Sequence, residues 1–151
     1  MHTGTYLLIL HCSKKASVPI GRLGTLVTEP GYYIYVGSAF GPGGIPARLS
    51  HHEKVASTPH WHIDYLRHHC ALDECWYTED SVHYEHDWAE RLQHFHGARI
   101  AMPHFGSSDC QCPTHLFHFH HKPRFIEIVR EVTMAPTRRL HYRDSEVIPA
   151  R

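Results

Sequence analysis

Glu29-Pro30-Gly31-Tyr32-Tyr33-Ile34-Tyr35-Val36-Gly37 is the stretch around which the rest of the chain arranges itself. Pro-Gly signals a turn, and the residues after it are aromatic or β-branched up to the closing glycine, as suits a pleated strand. Upstream, Thr5-Tyr6-Leu7-Leu8-Ile9-Leu10 is apolar without alternation, as expected of a strand covered on both faces. Residues 18–27 contain two glycines and read as a further extended segment, so the first strands are expected to form a small antiparallel meander. Downstream, Phe40-Gly41-Pro42-Gly43-Gly44 is a loop, and residues 45 to about 55 read as a helix on which Arg48 and His52 share a face. Thr58-Pro59 offers an N-cap and first helical residue for a second helix through Trp61, Tyr65 and Leu66. Residues 72–77 return to a strand. Asp80 or Ser81 is placed to cap a third helix carrying Val82, Glu85, Trp88, Ala89 and Leu92, and residues 114–119 suit a late strand. The predicted class is α+β, a small and mainly antiparallel sheet flanked by helices. One domain is expected over residues 3–136, with residues 137–151 as a flexible C-terminal tail.

At 151 residues the chain is long enough to bury a substantial core. No run approaches the ~18 apolar residues of a membrane span, and the start Met1-His2-Thr3-Gly4 lacks the layout of a secretory signal. Five cysteines, an odd number, argue against a complete disulfide framework and for reduced thiols in a cytoplasm. Fifteen basic residues balance fifteen acidic ones, so no strongly basic surface advertises nucleic acid. The balance is uneven along the chain, however, with the acidic residues concentrated in the middle and both ends basic. Eighteen histidines are an unusual number. Most are expected to be solvated, with a few free to bind metal.

Tyr6, Tyr35, Arg48, His52 and Glu85 are the residue types a one-metal phosphodiesterase needs. Phenols and an imidazole handle protons, a guanidinium offers a planar fork of donors to phosphoryl oxygens, and a single carboxylate holds a divalent cation with positions left for water and phosphate. Each has a duller reading. A tyrosine in an apolar strand is usually core, an arginine on an amphipathic helix is usually solvated, and Glu85 beside Asp87 and Glu90 resembles an acidic helix surface.

Their order favours the functional reading. Gly4-Thr5-Tyr6 and Tyr35-Val36-Gly37, followed by Arg48, His52 and the segment Val82-His83-Tyr84-Glu85-His86-Asp87-Trp88, resemble the signature of the GIY-YIG nuclease superfamily. Three phrases are more closely similar to the branch of that superfamily that also occurs joined to endonuclease III-type repair glycosylases. They are Pro30 to Ala39, His60-Trp61-His62-Ile63-Asp64-Tyr65-Leu66, and Phe105-Gly106-Ser107-Ser108-Asp109-Cys110. The resemblance covers residues 3–120 and implies a divalent-metal-dependent endonuclease acting on DNA, with a link to repair of damaged or branched structures. It implies Glu85 as the ligand of Mg²⁺ or Mn²⁺, Arg48 as phosphate stabiliser, and Tyr6, Tyr35 and His52 as the proton-handling set, with one of the two phenols taking the water's proton. Contacts to nucleic acid are expected from Arg48, Ser38, His51, Lys122 and Arg124. The chain departs from the pattern in three ways. Twenty-eight residues separate Tyr6 from Tyr35, Ser38 follows the second motif where a lysine is common, and there is no asparagine anywhere to match the late one of many members.

Asp109-Cys110-Gln111-Cys112-Pro113-Thr114-His115 forms a second cluster. Cys110, Cys112 and His115 have the softness to ligate structural Zn²⁺, but the spacing is not that of a zinc finger, and buried thiols beside a polar turn are the favoured reading. Asp109 and Ser108 are candidates for the rim of the site. His60 and Asp64 fall on one helical face as a candidate pair, against a reading in which Trp61, Tyr65 and Leu66 are core. Two other functions fit the composition: a non-catalytic nucleic-acid-binding module of the same fold, and a His/Cys-rich metal-binding interaction protein.

Overall fold

In the computed structural model, which describes residues 2–107 and 111–142, β1 (Gly4–Cys12) and β4 (Gly31–Ala39) pair antiparallel over their full length. β1 also pairs with β5 (Ala71–Thr78), so the apolar first strand lies at the sheet's centre. The six-stranded sheet runs β6-β7-β4-β1-β5-β8, with β6 (Arg99–Ile100) and β8 (Arg138–His141) at its edges and β7 (Leu116–Phe119) beside β4. Every pairing is antiparallel, and the α+β class expected from the sequence is the class that forms.

The meander expected of the first strands does not form. β2 (Ser17–Ile20) and β3 (Gly24–Val27) make a separate two-stranded hairpin, while β1 and β4 pair directly across it. The long gap between the tyrosine motifs is therefore filled by strand ends and by an excursion that leaves the sheet intact. The hairpin's Val18, Ile20 and Leu26 are buried against one face of the sheet.

Both faces are covered, which explains why β1 reads as continuous apolar sequence. Tyr6, Leu8 and Leu10 face one core with Tyr33, Tyr35, Ile45, Leu49 and Ile63. Those last three come from α1 (Gly44–Glu53) and α2 (His62–Leu66). Leu7 and Ile9 face the other core, built with Ile34, Val36 and Trp76 and closed by Trp88, Ala89 and Leu92 of α3 (Glu85–Gln93) and Ile128 of α4 (Phe125–Ile128). A π-helical turn, Val129–Thr133, continues α4. Its last carbonyl accepts the indole N–H of Trp88 at 3.1 Å.

Glycine is required in both tyrosine motifs by close approach. Tyr6 lies opposite Gly37, and a Cβ on Gly37 would sit 2.4 Å from Tyr6 Cζ. At Gly4 a Cβ would meet the Thr78 carbonyl oxygen of β5. Gly37→Ala is expected to lower stability by about 1–3 kcal/mol through overpacking, measured as a lower urea midpoint at unchanged m value. A midpoint equal to that of the parent would mean that Tyr6 can move aside freely.

Two helix starts differ from the sequence reading. α2 begins at His62 rather than at Thr58-Pro59, because Asp64 reaches back and accepts the N–H groups of His60 and Trp61 at 2.8 and 2.9 Å. α3 begins at Glu85, because Asp80 instead accepts the N–H of Val82 at 3.0 Å in a local turn that competes with helix. The tail expected from residue 137 gives way to β8, which pairs with β5 from Tyr77–Arg138 to Glu74–His141. Residues 143–151 of that tail lie outside the described residues. No helix among the described residues is long and apolar enough to cross a membrane, and Cys12, Cys70 and Cys75 are free thiols.

Candidate active site

A cleft of about 290 Å³ opens where the two helical layers meet at the end of β4, and Tyr35, Arg48 and Glu85 all line it. They come from three elements. Tyr35 is held in β4, Arg48 projects from α1, and Glu85 is the first residue of α3. α3 packs on the opposite face of the sheet from α1, and its start is fixed by the Tyr84 N–H donating to Thr5 Oγ1 at 3.3 Å and by burial of Trp88.

α1 is pinned at both ends. Its first turn receives the His2 carbonyl on the N–H of Ile45 at 2.7 Å. At its other end the buried Arg67 donates to the carbonyls of His52 and Glu53 at 3.0 and 3.2 Å. Between these anchors Arg48 Nη1 donates to the Ser38 carbonyl at 2.9 Å, and its guanidinium lies 4.4 Å over the Trp61 ring. One edge and one face of the fork are thus fixed, a further hydrogen bond ties the guanidinium to the Tyr6 phenol, and Arg48 also lines the cleft. Ser38 contributes here through its backbone.

Tyr6 and His52 stand behind the cleft wall, each 1% exposed. Tyr6 Oη and His52 Nε2 are hydrogen-bonded at 2.7 Å. Burial holds the His52 imidazole neutral, pushing its pKa down to about 3 although Asp64 opposes the shift. Burial and the neighbouring Tyr35 raise the Tyr6 phenol well above its ordinary value, against Arg48. Tyr35 is raised too, by burial first and then by the Glu85 carboxylate. In the resting site both phenols therefore keep their protons.

Among the described residues that line this polar, open cleft Glu85 is the one carboxylate, and its Oε2 lies 3.3 Å from His115 Nδ1. That donor set fits a hard divalent cation that keeps most of its own waters. His86 also lines the cleft, with Nδ1 3.2 Å from Cys112 Sγ. Cys112 and His115, which the sequence groups as zinc candidates, are thus drawn to neighbouring residues at the start of α3. Cys110, the third candidate, lies outside the described residues, as do Ser108 and Asp109.

Among the described residues, His51, His52 and Asp64 form a group whose ligand atoms lie within 4.8 Å of one another. Their polar atoms are largely committed. His51 Nε2 bonds Asp64 Oδ1 at 2.9 Å, Asp64 Oδ2 accepts two backbone N–H groups, and His52 Nε2 meets Tyr6. Arg48 and Arg67 add positive charge beside His52. The group is a hydrogen-bonded scaffold joining α1 to α2, with His51 rather than the His60 ring as partner of Asp64. His51 itself lies beside the cleft, in a shallow hollow with Arg48 and Trp61.

Lys122 and Arg124 are not brought to the cleft. β7 runs from Leu116, opposite Tyr35, to Phe119, opposite Tyr32, and the two cations follow its far end. Lys122 is bound to Asp73 at 2.7 Å and to Glu74, whereas Arg124 is exposed beside a separate hollow. Four cleft residues carry no site role in the sequence reading: Trp61, His62, His86 and Gly106. The signal for the first two was the phrase His60 to Leu66, since it is joined here to the phrase around Phe105-Gly106 by the Gly106 N–H donating to His62 Nδ1 at 2.8 Å.

The α+β scaffold thus gathers a guanidinium, a phenol and a carboxylate in one cleft. The chain belongs to the family described as domain of unknown function DUF123, whose model matches residues 5–137. No curated protein and no solved structure matches it.

Proposed function

We propose that this protein is a divalent-metal-dependent endonuclease that hydrolyses phosphodiester bonds in DNA, with damaged or branched structures as the favoured substrates. The observation that carries the reading is the convergence of Tyr35, Arg48 and Glu85, from three separate elements, on one cleft of about 290 Å³. The resemblance of the same residues, in the same order, to the GIY-YIG nucleases supports it.

Hydrolysis forms a bond from a water oxygen to phosphorus and breaks a phosphorus–oxygen ester bond. The water loses a proton and the leaving oxygen gains one. Glu85 would hold Mg²⁺ or Mn²⁺, and the chemistry such an ion would supply is Lewis acidity toward a water and charge compensation for the phosphate. The guanidinium of Arg48 binds the non-bridging oxygens, in a geometry set by Ser38 and Trp61. Tyr35 is the phenol that lines the cleft, so it is the one placed to meet the nucleophile. Tyr6, sealed behind the wall with His52, sets the position and field of Arg48.

The test is cleavage of labelled single-stranded, duplex, flapped and branched DNA and RNA with Mg²⁺, Mn²⁺ or EDTA, beside Glu85→Ala and Arg48→Ala. Cutting should require metal and fall at least about 10²-fold in both variants. Binding without cutting on any substrate, by a folded protein and unchanged in Glu85→Ala, would replace this reading with a non-catalytic nucleic-acid-binding module.

A further inference from the structure

We infer that His62 is a further catalytic residue of this cleft, a neutral hydrogen-bond donor that presents Nε2–H to a non-bridging oxygen of the scissile phosphodiester. The inference rests on the nuclease reading for its substrate, but its geometric part stands on the ring itself. A backbone N–H can only donate, so the 2.8 Å bond from Gly106 requires a lone pair on His62 Nδ1. A neutral imidazole carries one proton, and it must then reside on Nε2. His62 lines the cleft beside Arg48 and Tyr35, which makes that N–H the donor it can offer to a ligand there.

The surroundings fix this tautomer. Gly106 has φ of 71°, and a Cβ there would sit 3.0 Å from Tyr35 Cε1 and 3.2 Å from His115 Cβ, so its turn is pressed against the cleft wall. The Phe105 carbonyl accepts the N–H of His115 at 2.8 Å, and the His115 carbonyl accepts the N–H of Val36 at 2.9 Å, tying the turn to β7 and β4. The fully buried Phe105 ring meets the imidazole edge-on at 5.5 Å between centroids. Burial also lowers the pKa of His62, favouring the neutral ring.

This arrangement dictates what His62 does. With its proton on Nε2 the ring cannot accept a proton there from water. A preorganised neutral donor serves instead where charge accumulates on phosphoryl oxygens, and it complements Arg48 without adding a second cation to a site that must also hold a metal. It also gives the His60 to Leu66 phrase a chemical reason to sit beside the Phe105-Gly106 turn.

Two measurements on the full chain test this. Imidazole ¹⁵N–¹H correlation spectra should show His62 with a protonated Nε2 and a bare Nδ1, and saturating thymidylyl-thymidine, a minimal phosphodiester, should shift Nε2. A protonated Nδ1, or an Nε2 indifferent to the dinucleotide, would overturn the inference even if the protein cuts DNA. A shifted Nε2 in a protein that cuts nothing would uphold the donor and overturn the nuclease reading. In single-turnover cleavage, His62→Leu should slow the chemical step about 10²–10³-fold at unchanged half-saturating enzyme concentration, with a lowered Tm because the Gly106 N–H loses its acceptor. His62→Gln, which keeps an acceptor and a donor, should recover at least about tenfold of that loss. With sulfur replacing one non-bridging oxygen, the parent should show a slowing that Mn²⁺ does not rescue and that vanishes in His62→Leu. An identical sulfur effect in parent and His62→Leu would reduce His62 to a structural prop for the Gly106 turn.

Discussion

Arg48→Lys is expected to lose about 10²–10³-fold in cleavage rate while staying folded and keeping its charge. The guanidinium does three things at once. Nη1 donates to the Ser38 carbonyl at 2.9 Å, its plane stacks 4.4 Å over Trp61, and the side chain lines the cleft. A lysine ammonium has no plane to stack and no rigid fork, so it satisfies either the carbonyl or the phosphate. The loss should appear mainly in kcat, because stabilisation of charge that builds in the transition state is what is removed, while the retained charge preserves much of the ground-state attraction. Trp61→Leu should move in the same direction and less far, since it removes the stacking face but leaves the Ser38 bond. An Arg48→Lys variant that cuts within threefold of the parent would show that Arg48 acts as a point charge and that its fixed geometry has no part in the chemistry.

What the sequence made legible follows the range of the interactions involved. β1 and β4 could be read because two-sided burial writes a continuous apolar run, and the spacing of Arg48 and His52 could be read because both lie on one helix. The direct pairing of β1 with β4 was hidden, since it skips a hairpin that looks equally like the next strand in order. The start of α2 was hidden because its cap is Asp64, inside the helix, and not the threonine before it. Glu85 was visible through its place in a family-like segment, yet nothing local marks that α3 packs on the face opposite α1 and still delivers this one side chain to the cleft. His62 depended on a turn around Gly106 that is remote in sequence. Most hidden of all was β8, because a strand of Arg-Arg-Leu-His reads as solvated tail until its acidic partner is known.

That partner is Glu74, and Glu74→Ala is expected to cost about 3–5 kcal/mol of stability, a large share of the 5–15 kcal/mol typical of a domain. The carboxylate is 1% exposed in β5, between β1 and β8. Oε1 accepts the Trp76 indole N–H at 2.8 Å and Arg139 Nε at 2.5 Å, while Oε2 accepts Arg139 Nη2 at 3.2 Å and meets the Lys122 ammonium. One side chain thus fastens the sheet's edge strand and the segment after β7 to the central strands. Alanine would leave the buried indole without its acceptor and Arg139 without its counter-charge, while Lys122 would keep only Asp73. Glu74→Gln should cost less, about 1–3 kcal/mol, because an amide oxygen still serves Trp76. Replacing Glu74, Lys122 and Arg139 together by methionine should recover much of the alanine loss, since no charge is then stranded. The pH dependence has a definite sign. Burial alone would raise the Glu74 pKa, but hydrogen bonds from Arg139, Lys122 and Trp76 outweigh it and bring it down to about 2. The unfolded value is about 4.3, so the folded state binds this proton less readily than the unfolded chain. Its stabilisation is therefore complete above about pH 5 and is lost as pH falls towards 2. Urea midpoints of parent and Glu74→Gln, followed from pH 7 to pH 2, should converge across that window. A gap that stays constant down to pH 2.5 would mean that the carboxylate's charge contributes nothing to holding β8 in the sheet.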